Sequence, residues 1–117
     1  MADCLFCKIV AGGIPAKVVK RSDEALAFRD IDARAPVHVL IIPTRHIAAV
    51  RDAQGSDGER LLGRLLAFAA EVARDEGLDA EGYRIVTNTG RNAGQSVDHL
   101  HLHVLGGRKV TWPPFGL

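Results

Sequence analysis

Two short stretches near the start of the chain are typical of β-strands, with Val18, Leu26 and Phe28 as the side chains expected to point inward. Lys17 to Arg21 and Ala25 to Asp30 flank the turn-forming residues 22–24, so this region predicts a β-hairpin. Val37 to Ile42 follows, apolar on both faces and rich in β-branched residues, as in a central strand. His38 interrupts this apolar run and is expected to be buried or to face a site.

The longest helical pattern lies in the middle of the chain. Ser56 to Glu59 has the spacing of an N-terminal capping box, and Gly77 provides the expected end. Between them, seven apolar residues recur with helical period: Leu61, Leu62, Leu65, Leu66, Ala69, Val72 and Ala73. We therefore predict one long helix with its apolar stripe on the core.

A shorter helix is predicted at the N-terminus. Asp3 can cap it, and Gly12 and Gly13 can end it. Leu5, Phe6 and Ile9 share its apolar side. Cys4 and Cys7 lie in the same region, and this helix would place them one turn apart.

Two further strands follow the long helix. Tyr83 to Asn88 and Val97 to Leu105 alternate in strand fashion, and the Gly-rich, polar residues 89–96 connect them as a loop. Strands before and after one long helix, with short connections, indicate an antiparallel α+β fold. We expect the 117 residues to form one domain, residues 1–117.

Charge and hydropathy narrow the class of protein. Lys and Arg number 15 against 14 for Asp and Glu, so the chain offers no broad attraction for nucleic acid or for an anionic membrane. The sequence has neither a signal-peptide pattern nor an apolar run of about 20 residues, so we expect a cytoplasmic protein. In that compartment cysteines stay reduced, which leaves metal binding or redox chemistry for the two that are present.

The last predicted strand carries three histidines at alternate positions. His99, His101 and His103 are expected to project to one face, since side chains alternate across a strand. Three interpretations are open: hydrogen-bonded core histidines, a metal site made of all three, or a nucleophilic imidazole with two supporting neighbours. The polar loop before them, from Asn88 to Ser96, supplies glycine N–H groups, amides and a hydroxyl suited to a phosphate, and favours the third.

The histidine run resembles the signature of a known family. His99-Leu100-His101-Leu102-His103-Val104-Leu105 is similar to the His-x-His-x-His-x-x motif of the histidine-triad (HIT) superfamily, in which each x is hydrophobic. Further segments resemble its Hint branch, the histidine triad nucleotide-binding proteins: Asp30-Ile31-Asp32, Ala35-Pro36-Val37-His38, Ile42-Pro43, His46-Ile47, Asn88, Gly94-Gln95-Ser96-Val97, Leu105-Gly106-Gly107-Arg108 and Trp112-Pro113-Pro114. The resemblance implies a HIT-like fold with about five antiparallel strands, one long and one short helix, and a homodimer.

The resemblance also implies an activity and the residues that perform it. It implies a hydrolase for purine nucleoside phosphoramidates, in which His101 attacks the α-phosphorus and forms a nucleotidyl-histidine. His38 would orient His101 through a hydrogen bond, and Ser96 would assist the leaving group. His103 and Gln95 would hold the phosphate, and the pocket would be lined by Asn88 and the backbone of Gly94 to Ser96.

A nucleoside slot is implied by the same resemblance. Asp30 would bind the ribose hydroxyls, and Trp112 would lie near the partner's site in the homodimer. The apolar slot around the base would comprise Leu5, Phe6, Ile9, Phe28 and Ile31. Simpler interpretations stay open: Phe28, Ile9 and Ile31 as ordinary core, Asp30 as a turn residue, and Trp112 as a packing anchor for the tail.

The two cysteines, together with two distant histidines, offer the soft and borderline donor atoms of a closed tetrahedral zinc site. Relatives with the N-terminal cysteine pair imply that structural zinc is held by Cys4, Cys7, His46 and His99, with no cofactor required for catalysis. Two inert buried thiols, or a redox pair, are the alternatives for the cysteines.

Two other functions remain open from the sequence. One is a dinucleoside polyphosphate hydrolase of the Fhit type, and the other is a nucleotide-binding or partner-binding module whose hydrolysis is incidental. The Gln95-Ser96 pair and the Trp-Pro-Pro tail favour the phosphoramidase, and the complete triad argues against mere binding.

Overall fold

Five short strands build the core of the fold. The computed structural model describes residues 3–113, so Pro114 of the Trp-Pro-Pro motif lies outside the described residues, with residues 1–2 and 115–117. The strands are β1 (Val18–Arg21), β2 (Ala25–Arg29), β3 (Val37–Pro43), β4 (Tyr83–Val86) and β5 (Leu102–Gly106). They form one antiparallel sheet in the order β1-β2-β3-β5-β4, which confirms the predicted hairpin and the central position of β3.

Side-chain alternation divides the sheet into two faces. In β2, Ala25 and Ala27 belong to one apolar cluster, whereas Leu26 and Phe28 belong to another. The same division continues through β3 and β5, because their ladders keep one register along their shared length. The two faces of the sheet therefore carry different sets of side chains and can have different roles.

The long helix α2 (Gly55–Asp75) covers one face of the sheet. Of the predicted stripe, Leu61, Leu65, Ala69, Val72 and Ala73 are buried. Leu66 is 51% exposed and does not belong to the core, and Phe68, which is 1% exposed, was not predicted. No helix within residues 3–113 is long and apolar enough to cross a membrane.

The predicted capping box at the start of α2 is wrong. The helix begins at Gly55, and no side chain caps it. The N–H of Gly58 already donates to the carbonyl of Gln54, so Ser56 to Glu59 lie inside the first turn rather than before it. The predicted end is close to the observed one, since Gly77 follows the helix with a φ of +77°.

The short helix α1 (Leu5–Val10) covers the opposite face. Phe6 joins a buried cluster with residues of β2 and β3: Leu26, Phe28, Leu40 and Ile42. The predicted cap, Asp3, is wrong, because Cys4 occupies the N-cap position and its Sγ accepts from the N–H of Cys7 at 3.4 Å. The cysteine that begins the helix is thereby fixed in orientation.

The last strand is shorter than predicted. It begins at Leu102 instead of Val97, because the N–H of Leu100 donates to the carbonyl of Ile47, outside the sheet, at 2.7 Å. Alternation nevertheless persists through this segment. Leu100, Leu102 and Val104 lie in the cluster under α2, and the three histidines between and beside them face the other way.

Two glycines of α2 predict opposite effects of the same substitution. A Cβ on Gly58 would lie 2.3 Å from the carbonyl carbon of Ala53, whereas a Cβ on Gly63 would meet nothing within 4 Å. We expect Gly58→Ala to lower the free energy of unfolding by about 2 kcal/mol through overpacking, and Gly63→Ala to raise it by about 0.5–1 kcal/mol through helix propensity. Urea unfolding of both variants measures this difference, and equal shifts would contradict the packing described here.

Candidate functional site

A cleft of about 420 Å³ opens on the face that α2 does not cover. Its size is within the usual range for small-molecule sites. The lining residues are Asp30, Asp32, Arg34, His38, Val86, Asn88, Gly94, Ser96, His103 and Leu105. Six of these were predicted as site residues, namely Asp30, His38, Asn88, Gly94, Ser96 and His103.

The strand register brings two histidines together at the cleft. His38 on β3 pairs with Leu105, and His103 on β5 pairs with Leu40, so the two imidazoles are diagonal neighbours on one face. Nε2 of His38 lies 2.9 Å from Nδ1 of His103. The prediction that His38 orients His101 through a hydrogen bond is therefore wrong, because the diagonal of the ladder places His103 within reach and His101 bonds to the carbonyl of His99 instead.

A hydrogen bond from the backbone determines which nitrogen carries the proton in each ring of this pair. The N–H of Arg34 donates to Nδ1 of His38 at 2.9 Å, so the neutral ring carries its proton on Nε2. That N–H donates to Nδ1 of His103, whose own proton is then on Nε2. His103 consequently offers an N–H, and a phosphate oxygen in the cleft could accept from it.

His101 has the complementary tautomer. Its Nδ1 lies 2.8 Å from the carbonyl oxygen of His99, which can only accept, so Nδ1 carries the proton and Nε2 carries a lone pair. Within residues 3–113, that Nε2 atom has no hydrogen-bond partner. The ring is 3% exposed, and it is held edge-on by Phe6 at 5.2 Å and by His103 at 5.1 Å between centroids.

Burial keeps the cleft histidines neutral. It lowers the pKa of His103 to about 4, with smaller contributions from the positive charges that His101 and His38 would carry. Burial also lowers the pKa of His38, although the neighbouring Asp30 carboxylate opposes this effect. Both rings are therefore uncharged near pH 7, as the tautomers above require.

Asp30 is both a turn residue and a cleft residue. One carboxylate oxygen accepts from the N–H of Asp32 at 2.8 Å, as in an Asx turn, and the other lies 3.3 Å from Nε2 of His38. The carboxylate also lines the cleft, where hydroxyl groups of a ligand could donate to it.

The predicted base slot divides into a buried and an exposed part. Phe6 and Phe28 are each 4% exposed and stack edge-to-face at 5.6 Å, with Ile9 packed against their cluster. Leu5 is 44% exposed and Ile31 is fully exposed, so Ile31 is not ordinary core. Core packing therefore accounts for the two phenylalanines, and exposed apolar surface remains at Leu5 and Ile31.

The tail does not pack Trp112 into the protein. Its side chain is 81% exposed, which contradicts a role as a packing anchor within residues 3–113. The tail is held instead by its backbone, because Arg84 donates to the carbonyl of Thr111 at 2.7 Å.

The polar loop contributes less of its side-chain chemistry to the cleft than predicted. Asn88, Gly94 and Ser96 line the cleft, but Gln95 does not. The Gln95 amide is bonded to three backbone groups within the protein, so the prediction that this side chain holds the phosphate is wrong.

A second cluster shares His99 with the histidine run and lies where α1 meets the segment before β5. The nitrogen and sulfur atoms of Cys4, Cys7, His46 and His99 that could bind a metal ion all lie within 4.8 Å of one another. Nδ1 of His99 is 3.3 Å from Sγ of Cys4 and 3.5 Å from Sγ of Cys7, and Nδ1 of His46 is 3.3 Å from Sγ of Cys7. Ligands of a tetrahedral zinc ion lie roughly 3.5 Å apart, so the four residues fit such an ion.

His99 is oriented as metal-binding histidines are. Its Nε2 donates to the carbonyl of Pro43 at 3.0 Å, which leaves the lone pair on Nδ1, the atom that faces both thiols. Burial lowers the pKa of His99, and a neutral ring is the form that binds metal. Both cysteines are free thiols.

Sequence reasoning missed the backbone groups that set the site. The N–H of Arg34 and the carbonyl of His99 fix the tautomers of His38 and His101, yet neither depends on a side-chain type that a motif could reveal. Asp32 and the Arg34 side chain also line the cleft. Their closeness to the predicted Asp30 and His38 was the available signal.

Similarity to known proteins extends along nearly the whole chain. The HIT domain profile matches residues 11–110. An uncharacterized HIT-like protein from Synechococcus elongatus is 49% identical over 112 residues, 96% of each protein. The crystal structure of a HIT family hydrolase from Legionella pneumophila is similar with a TM-score of 0.92 and 52% identity, covering 96% of this chain and 99% of that one. A histidine triad nucleotide-binding protein from Candida albicans has a TM-score of 0.81 and 32% identity, covering 95% and 83%.

The depressed pKa of His103 predicts a pH dependence of stability. The folded state keeps this ring neutral down to about pH 4, whereas the unfolded chain binds a proton below about pH 6.5. The free energy of unfolding should therefore fall as the pH is lowered from about 6.5 to 4, by up to about 1.4 kcal/mol per pH unit from this group. His103→Asn, which keeps a hydrogen-bond acceptor, should show a shallower fall in urea unfolding. Parallel curves for the two proteins would contradict the assignment.

Proposed function

The chain belongs to the HIT domain family, and we propose that it is a nucleotide hydrolase of the Hint branch that cleaves purine nucleoside phosphoramidates at the α-phosphate. It has the fold of the HIT family hydrolase from Legionella pneumophila, which supports a hydrolase in general. The observation that carries the finer proposal is the hydrogen bond from Nδ1 of His101 to the carbonyl of His99, because it leaves the Nε2 lone pair for attack.

In the first step, Nε2 of His101 attacks the α-phosphorus. The new N–P bond forms as the bond from phosphorus to the leaving nitrogen breaks, and the leaving nitrogen keeps the electron pair and takes a proton from the Ser96 hydroxyl, which recovers one from water. Nε2–H of His103 donates to a phosphate oxygen, and the side-chain amide of Asn88, which lines the cleft, supplies a further donor. The Ser96 hydroxyl assists the departing amine.

In the second step, water attacks the phosphorus of the nucleotidyl-histidine. The N–P bond breaks, His101 recovers its lone pair, and the water's proton passes to solvent. The product is a nucleoside 5′-monophosphate. Nδ1 stays bonded to the His99 carbonyl throughout, so the ring keeps its orientation between the two steps.

The nucleoside is proposed to lie across the cleft from the triad. Asp30 lines this cleft with a carboxylate suited to the ribose hydroxyls, and the exposed Leu5 and Ile31 offer apolar contact to a purine. The Candida albicans relative is named a nucleotide-binding protein, which supports this class of ligand. Phe6, Ile9 and Phe28 would form the floor on which these contacts rest.

Zinc is the metal that we propose for the cysteine-histidine cluster. Two thiolates and two imidazoles are the donor set of closed structural zinc sites, and such an ion would tie α1 to the segment that carries His99. Its contribution is stability and position, since catalysis on this proposal requires no metal. Free cysteines of this kind persist in a reducing compartment, in keeping with the predicted cytoplasmic location.

A homodimer is also proposed, with β4 as its contact. This strand lies at the edge of the sheet and leaves backbone groups without a partner strand. Within residues 3–113, Nη1 of Arg84 on the same strand is buried without a hydrogen-bond partner. A second copy could supply an acceptor for Nη1 of Arg84. The cleft of that second copy would then lie near the exposed Trp112 of the first.

The nucleophile assignment predicts a covalent adduct. We expect intact-protein mass spectrometry, after mixing with an adenosine phosphoramidate and quenching without acid, to show one added nucleotidyl mass on the native chain. His101→Ala should show no adduct, and its turnover should be slower by at least roughly 10³-fold, because it lacks the attacking nitrogen. Asn92→Ala, at an exposed loop position, is the matched control. An adduct on both proteins would identify another nucleophile.

The zinc assignment predicts stoichiometric metal and a stability that depends on it. The purified protein should contain one zinc per chain by elemental analysis, and Cys7→Ser should contain none. We expect this variant, and the native protein with a chelator, to lose about 3 kcal/mol of stability and about 10 °C in Tm. Lys8→Ala on the same helix is the control. An unchanged Tm with and without chelator would overturn a structural role for the metal.

A further inference from the structure

The side chain of Gln95 is committed entirely to the backbone of its own protein. Oε1 accepts from the N–H of Gly90 at 2.9 Å, and Nε2 donates to the carbonyls of Ala48 at 2.7 Å and Val97 at 3.0 Å. The backbone N–H of Gln95 in turn donates to the carbonyl of Gly90 at 3.1 Å. The amide thus closes the loop that precedes the triad.

The hydrogen-bonding role of each partner fixes which end of the Gln95 amide is the oxygen and which is the nitrogen. Each partner is a backbone group, so the N–H of Gly90 requires the amide oxygen, and the two carbonyls require the amide nitrogen. Both amide protons are used, and neither is left for a phosphate oxygen. Gln95 therefore acts on the cleft indirectly, through the residues that it holds.

One of those residues is a chain neighbour of Ser96, and another lies on the segment after β3. Val97, directly after Ser96, is held by its carbonyl, and Ala48 lies next to Ile47. The carbonyl of Ile47 accepts from the N–H of Leu100, which separates His99 from His101 in the chain. One backbone segment therefore bears hydrogen bonds both to the Gln95 amide and to the histidine run.

We propose that Gln95 is a positioning residue that holds the Ser96 hydroxyl in register with His101, so that Ser96 can protonate the leaving group. This inference rests on the proposed function. As the bond from phosphorus to nitrogen breaks, its electron pair stays on nitrogen, the Ser96 hydroxyl passes a proton to that nitrogen, and the hydroxyl recovers a proton from water. Ser96 lines the cleft from an exposed loop, so its position depends on the bonds around it.

The test compares two substrates whose leaving groups differ in their need for a proton. An adenosine 5′-phosphoramidate of an alkylamine releases a basic nitrogen, whereas the 4-nitrophenyl ester of AMP releases a stable phenolate. The variants are Gln95→Met, which removes all three bonds, Gln95→Glu, which keeps the acceptor and loses both donors, and Ser96→Ala. Asn92→Ala on the same loop is the control, and thermal melting shows that each variant is folded.

We expect both Gln95 variants to lower kcat for the phosphoramidate by roughly 10- to 100-fold and kcat for the nitrophenyl ester by less than about 3-fold, as for Ser96→Ala. Gln95→Met combined with Ser96→Ala should be no slower than Ser96→Ala alone, because both act through one hydroxyl. Equal losses on both substrates, or additive losses in the double variant, would overturn the proposal. Should the native protein form no adduct at His101, the proposed function itself fails, and this outcome is separate.

Discussion

The carbonyl oxygen of His99 accepts a hydrogen bond from Nδ1 of His101, and the chemistry of the candidate site depends on this contact. A carbonyl cannot donate, so the proton must stay on Nδ1 and the lone pair on Nε2. An N–H partner in the same place would give the opposite tautomer and a ring that could not attack. The bond also spans only two residues, so the tautomer is set locally and does not require a distant carboxylate.

The same residue links this contact to the cysteine-histidine cluster. The backbone of His99 orients His101, while its side chain points Nδ1 at two thiols and donates through Nε2 to Pro43. One residue therefore contributes both to the cluster and to the orientation of His101. Phe6 contacts both rings, at 5.8 Å and 5.2 Å between centroids, so α1 also supports the arrangement. A metal at the cluster would stabilise the nucleophile's position without touching a substrate.

Periodicity could predict the elements but not all of their ends. The alternation of Leu100, Leu102 and Val104 with the histidines correctly predicted one shared face. It could not predict that the strand begins only at Leu102, because that depends on a bond from Leu100 to Ile47, far away in sequence. The side chains of His38 and Gln95 were misassigned for a similar reason, since sheet register and loop closure choose their partners. Residue type limits what a side chain can bond to, and the tertiary fold selects among those options.

Charge in the cleft explains why neutral donors are prominent in the proposed phosphate site. The net charge of the chain is +1, and Arg34, the one lysine or arginine lining the cleft as the structure describes it, is paired with Asp32 at 3.1 Å. In the proposed function, binding of a phosphate must therefore draw on the N–H of His103 and on the side-chain amide of Asn88. Preorganised neutral donors stabilise the charge that develops at phosphorus without protonating the nucleophile beside them. A protonated His103 would bind phosphate more strongly, but its charge would disfavour the positively charged nucleotidyl-imidazole that the proposed mechanism forms on His101.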